Sequence, residues 1–240
     1  MNNVIVFGNA RSGNHAISYW LKPQFQDGVR CFNNYRYFRW KDEENLYRHT
    51  EHVNDEIKNN LFSVQNINLS VFEREREEWL NRFEYDLTDL KVVALLRNPW
   101  NLIASHVQWN WKPPLYQRKS GAINRWNEYY GIYLENTSDY IFIVYDKWFQ
   151  DIEYRKEISK KLGLVFNDEN LNLVSGEGDG SSFNKREYDG NAQQMNVLNR
   201  YKEVDNYSMN EFKKSELGQE LKNKWNHICD LEEIKELKIK

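Results

Sequence analysis

Residues 4–15 read Val4-Ile5-Val6-Phe7-Gly8-Asn9-Ala10-Arg11-Ser12-Gly13-Asn14-His15, and this stretch decides the fold. Four consecutive apolar residues ended by a glycine suit a strand buried on both faces, as in a parallel sheet. Beyond Ser12, the residues Ala16, Ile17, Trp20 and Leu21 recur at helical spacing until Pro23. The order is therefore strand, glycine-bounded loop, helix. Small residues let backbone N–H groups converge on an anion there, and the helix N-terminus adds the positive end of its dipole.

Gly8 and Gly13 have the separation of the two glycines of a P-loop, but the residues after Gly13 depart from that motif. Asn14 and His15 stand where a nucleotide hydrolase has its phosphate lysine and its Mg²⁺-binding hydroxyl. The positive charge has moved inside the loop, to Arg11. The chemistry this predicts is anion binding with no metal requirement.

Working outward, the strand and helix signals alternate. Leu61 to Val64, Val92 to Leu96 and Tyr140 to Tyr145 read as further buried strands. Helices are expected over residues 71–83 (with Val71, Phe72, Trp79, Leu80 and Phe83 inward), from Pro99 onward, over 119–135, over 150–162 and through most of the C-terminal part. Residues 24–60 predict loops and weak helices, and SGEGDGSS at 175–182 predicts a flexible loop. Strands alternating with helices predict an α/β fold: a parallel central sheet with helices on both faces, as a single domain over residues 1–240.

Composition narrows the class. Of 240 residues 40% are hydrophobic and 29% charged, which are globular values. A net charge of −3 gives no electrostatic case for binding nucleic acid. Cys31 and Cys229 have no metal-site or disulfide spacing and suit a reducing compartment. With no signal-peptide pattern and no segment as long as a membrane span, a cytoplasmic protein is expected.

With its later segments added, the chain resembles the sulfotransferases that use 3′-phosphoadenosine 5′-phosphosulfate (PAPS) as donor and release 3′-phosphoadenosine 5′-phosphate (PAP). Arg11, Ser12, Gly13 and Asn14 fit the family's 5′-phosphosulfate loop P-[KR]-S-G-[TN]-T, and His15 replaces its hydroxyl residue. LLRNPWNLIASH at 95–106 supplies Arg97, Asn98, Pro99 and Ser105 at the family's second-motif spacing. YIFIVYDKW resembles the strand ending in a Tyr-acidic pair, here Tyr145-Asp146, and GSSFNKREYDG resembles the late loop over the nucleotide.

The resemblance implies a P-loop-like sulfotransferase architecture and transfer of a sulfuryl group from PAPS to an acceptor hydroxyl or amine, without a metal. It implies donor contacts from Arg11, Ser12, Gly13, Asn14 and His15, and 3′-phosphate contacts from Arg97, Ser105, Lys185 and Arg186. Arg11 and His15 are the candidate catalytic side chains, Arg11 at the bridging oxygen and His15 at the sulfuryl oxygens. Relatives usually place a basic His or Glu just after the second strand. Here Val64-Gln65-Asn66-Ile67-Asn68 carries no titratable group, leaving His49, His52, His106 or a glutamate of Glu73 to Glu78 as candidates. Trp109, Trp111, Pro113, Pro114 and Tyr116 form a candidate acceptor wall, for a small-molecule, carbohydrate or lipid-linked acceptor. A non-catalytic phosphonucleotide-binding module and a kinase on the same fold are the alternatives.

Overall fold

The computed structural model describes residues 2–35, 57–81, 89–108, 121–176, 180–205 and 207–239. Among these the sheet has five strands, β1 (Asn3–Gly8), β2 (Arg30–Tyr35), β3 (Asn60–Gln65), β4 (Leu90–Leu96) and β5 (Ile141–Val144), in the order β2-β3-β1-β4-β5. Every pairing is parallel. The apolar run Val4 to Phe7 lies at the centre, wholly buried, as a strand covered on both faces requires. Helices surround the sheet, and the chain is an α/β protein of the expected class.

Register explains how the site assembles. Gly8 pairs with Gln65, so the loop after β1 opens beside the end of β3. Leu96 pairs with Val144, so the residues that follow them, Arg97 and Tyr145, emerge side by side. The neighbours of β1 are reached by connections that diverge to its two sides, and such a switch point leaves a crevice at the carboxyl ends of the strands.

The helices are α1 (Asn14–Leu21), α2 (Leu69–Asn81), α3 (Pro99–Gln108), α4 (Ala122–Glu135), α5 (Tyr145–Gln150), α6 (Ile152–Leu162), α7 (Arg200–Glu203), α8 (Tyr207–Lys214) and α9 (Glu216–Ile239). Arg97-Asn98-Pro99 shows why one tripeptide ends a strand and starts a helix. Asn98 Oδ1 accepts from the backbone N–H of Trp100 at 2.9 Å and of Asn101 at 3.3 Å, and Pro99 occupies the first helical position, where no N–H is needed. α6 is capped in the same way by Asp151 and ends at Gly163 with φ 68°.

Three sequence expectations change. Residues 24–60 were expected to lack strands, yet Arg30–Tyr35 pairs with β3 at the edge of the sheet. The strand expected to end at Tyr145 ends at Val144, and Tyr145-Asp146 forms the first turn of α5. His106, a candidate base in the sequence, is 1% exposed. In α2, Phe72 is buried, whereas Phe83 and the side chains of Trp79 and Leu80 lie outside the described residues. Among the described residues no helix is long and apolar enough to cross a membrane.

Candidate functional site

The loop after β1 is built to present its backbone. Arg11 has φ 69° and Gly13 φ 102°, so two residues adopt left-handed conformations within three positions. Glycine is required at position 13, because a Cβ there would stand 2.3 Å from the ring of Tyr145. It is equally required at position 8, where a Cβ would meet Asn14 Oδ1 and Ser12 Oγ. Those two side chains are buried: Ser12 Oγ donates to Asn14 Oδ1 at 2.5 Å, and Asn14 Nδ2 donates to the Val64 carbonyl at 3.1 Å. They brace the loop against β3 from beneath, and the Ser12 side chain does not line the cavity above it.

A second brace comes from Asn66, itself at φ 63°. Its Oδ1 accepts from Ala10 N at 2.9 Å and from Arg125 Nη2 at 3.1 Å, while Arg125 Nε donates to Asn9 Oδ1 at 2.9 Å. Four residues spread over 116 positions thereby hold the loop backbone in one shape, which is the preorganisation an anion cradle needs.

Above the loop lies a cavity of about 290 Å³ at the carboxyl ends of β1, β3, β4 and β5. Arg11, His15, Gln65, Arg97, Ser105 and Arg200 line its polar side, and Tyr145, Trp148 and Phe149 form an aromatic wall. No carboxylate lines it among the described residues. Arg97 is held by bonds from Nη1 to the Arg11 carbonyl at 2.6 Å and from Nη2 to the Val197 carbonyl at 3.2 Å, with its guanidinium 4.9 Å from the Tyr145 ring centroid. Two atoms beside the cavity, Arg97 Nε and Ser105 Oγ, are buried with no hydrogen-bond partner among the described residues. Buried donors are rarely left so unless something binds there.

Charge leaves its mark on the neighbours. Burial, then Arg11, Arg125 and Arg97, push His106 down to about 4, so its ring is neutral at physiological pH. Burial and the Arg97 charge lower Arg200 to about 10. Asp146, behind Arg97, is raised to about 6 by burial, against the opposing pull of that arginine.

The predicted site residues divide. Arg11, Gly13, Asn14, His15, Arg97 and Ser105 converge on the cavity. Lys185 and Arg186 do not line it. The backbone of Lys185 closes a small turn with Ser181, its side chain is exposed, and Arg186 pairs with Asp189. The basic residue that enters from this part of the chain is Arg200, whose Nη2 donates to Ser181 Oγ at 2.8 Å and whose guanidinium covers the Phe183 ring. Of the expected bases, His106 is buried beneath the loop, and His49 and His52 lie outside the described residues, as does the candidate acceptor wall of Trp109, Trp111, Pro113, Pro114 and Tyr116.

A five-stranded parallel sheet with a glycine-bounded loop after its central strand is a P-loop-like architecture, and a solved structure specifies the fold further. The mouse sulfotransferase SULT7A1, crystallised with PAP, shares the fold over 92% of this chain and 88% of its own, with a TM-score of 0.56 and 12% identity. Retinol dehydratase in complex with retinol and PAP aligns over 70% of this chain and 62% of its own, with a TM-score of 0.41 and 13% identity. The chain has the sulfotransferase fold. No protein-family model and no curated protein matches its sequence.

Proposed function

We propose that the protein binds PAPS in this cavity and transfers its sulfuryl group to an acceptor hydroxyl or amine. The observation that carries the reading is a pair of buried donors, Arg97 Nε and Ser105 Oγ, with no hydrogen-bond partner among the described residues, in a cavity that also holds Arg11 and Arg200 and that no described carboxylate lines. Such a cavity calls for a ligand with more than one anionic group. A nucleotide phosphorylated at both ends of its ribose meets that need.

Arg97, Ser105 and Arg200 hold the 3′-phosphate on this reading, and the backbone N–H groups of residues 11–15, at the start of α1, hold the 5′-phosphate. Tyr145, Trp148 and Phe149 offer ring faces to the base, and Trp148 Nε1, buried without a hydrogen-bond partner among the described residues, offers a donor to its edge. Arg11 stabilises charge gathering on the bridging oxygen as the S–O bond breaks. Little covalent work falls to the protein; in-line placement and charge neutralisation do most of it. The PAP complex of SULT7A1 supports the donor side of this reading.

Thermal stability with added nucleotide tests it. PAP at 100 times its dissociation constant stabilises the native state by about 2.7 kcal/mol and raises the midpoint clearly, while AMP and ATP with Mg²⁺ give little shift. Equal shifts with AMP and PAP, or stabilisation by ATP with Mg²⁺ alone, would overturn the assignment.

A further inference from the structure

β3 ends in Gln65, and the amide of Gln65 lies on the ring of His15: Gln65 Nε2 and His15 Nε2 are 3.1 Å apart. His15 comes from the start of α1, after the loop that opens beside the end of β3. Both residues line the cavity. Of the histidines described, His106 is sealed beneath the loop, and His227 lies at the surface against Tyr130. The remaining charged and titratable groups that line the cavity are Arg11 of the loop, Arg97 after β4, Tyr145 of α5 and Arg200 of α7. Three are cations and one a phenol, so among the described residues His15 is the lining side chain with a ring nitrogen able to accept a proton.

We infer that, in the transfer reaction proposed above, His15 is the general base for the acceptor and Gln65 is the residue that positions it. The proton acceptor then sits at the end of the loop after β1, and the end of β3 supplies a neutral amide that orients the ring. The two orientations of an amide differ only in which atom faces the imidazole. As placed, the amide nitrogen faces the ring; turned so that Oε1 faces it instead, Gln65 accepts from Nε2–H and holds the tautomer in which Nδ1 takes the proton. In the step, the acceptor O–H (or N–H) bond breaks and its proton passes to His15. The acceptor's electron pair forms the new bond to sulfur, the bond from sulfur to the bridging oxygen breaks, and that oxygen leaves on PAP with the electron pair. The imidazolium then loses its proton to solvent, and no redox partner is needed.

This inference rests on the donor-site reading, and the test separates the two. PAP release from PAPS is followed with 2-naphthol, with an amino sugar and with buffer alone, beside PAP binding by calorimetry. His15→Gln is expected to cut the fastest of these rates by about 100-fold or more, the usual scale of general-base catalysis, with PAP affinity kept within threefold. Gln65→Ala is expected to cost about tenfold in kcat. Gln65→Glu is expected to move the alkaline rise of the rate to higher pH, because a carboxylate on the ring favours the imidazolium. His49→Gln/His52→Gln is expected to keep the wild-type rate and profile. Loss of PAP binding in His15→Gln makes the residue a phosphate ligand and overturns the base assignment. An unchanged rate in that variant, a wild-type profile in Gln65→Glu, loss of the pH-dependent rate in the His49/His52 variant, or no PAP release by the wild type under any condition also overturns it. If PAP fails to bind the wild type, the donor-site reading itself has failed.

Discussion

The two ends of the sheet treat positive charge in opposite ways. At the amino ends of β4 and β5 a cavity of about 450 Å³ is lined by Lys91, Lys147 and Lys161, together with Glu157 and Glu232. There the charges pair: Lys147 lies 3.3 Å from Glu232, which also accepts from Tyr133 Oη at 2.6 Å, and Lys161 lies 2.7 Å from Glu157. At the carboxyl ends, Arg97 donates to two carbonyls, Arg200 to a hydroxyl and a thioether, and no described carboxylate lines the cavity. Cations placed against neutral acceptors keep charge available for an anionic ligand. The first arrangement serves the fold, and the second leaves its charge to the anionic donor proposed above.

Substitutions at the two ends should therefore separate binding from stability. Arg97→Ala carries the largest expected effect. Removing one side of a buried, charge-assisted contact costs on the order of 2–5 kcal/mol, so PAP affinity should fall about 30-fold or more by calorimetry. Glu232→Ala should do the reverse. It takes the carboxylate away from Lys147, whose side chain is 14% exposed, and from the Tyr133 hydroxyl. A loss of about 2–3 kcal/mol in urea unfolding is expected, with PAP affinity unchanged. If Glu232→Ala weakens PAP as much as Arg97→Ala does, the contrast between the ends is broken.

Two buried groups near the donor cavity sharpen the contrast through pH. The folded-state pKa of His106 is depressed from 6.5 to about 4, so its contribution to stability is present above 6.5 and is lost as pH falls through about 4. The pKa of Asp146 is raised from 3.8 to about 6, so its contribution is present below 3.8 and is lost as pH rises through about 6. The windows overlap and the slopes oppose, which flattens the wild-type profile between pH 4 and 6. Each full shift corresponds to roughly 3 kcal/mol at most, before relaxation reduces it. In urea unfolding at a series of pH values, His106→Gln should unmask stability that falls with rising pH, and Asp146→Asn stability that rises. Parallel profiles in the two variants would remove the physical basis for both assignments.

What the sequence disclosed follows from where the information lies. The buried strands around Val4 and Val92 and the loop between Gly8 and Gly13 announce themselves because their residues are contiguous and each answers to one local rule. Arg97 and Ser105 are legible for a related reason: strand, cap and helix fix the phase between them. β2 is hidden because RCFNNY is an edge strand with a polar half and no alternation. Arg200 is a lone arginine in NRYKE with nothing local to mark it, whereas the more conspicuous Lys185-Arg186 pair sits in a turn that faces solvent. The contact between Gln65 and His15 joins residues 50 positions apart, and a neutral amide gives no sign of a role in proton transfer until the pairing of β1 with β3 brings it to the loop.

The smallest expected effect makes the finest distinction. Ser105 and Ser63 are both buried, and each has a hydroxyl with no hydrogen-bond partner among the described residues. Ser105 borders the donor cavity, and Ser63 lies within β3, away from it. Removing an unsatisfied buried hydroxyl is neutral or stabilising, so in the ligand-free protein both Ser105→Ala and Ser63→Ala should leave unfolding unchanged or raise stability by up to about 1 kcal/mol. PAP should tell them apart. Ser105→Ala loses a hydrogen bond to a charged group, about 1.5 kcal/mol, and should bind roughly tenfold more weakly, while Ser63→Ala binds as the wild type does. Because the two changes delete the same atoms, a difference between them in calorimetry cannot come from general destabilisation. Equal affinities in the two variants would mean that Ser105 is unsatisfied for reasons of packing alone, and that the anion is held by the arginines without it.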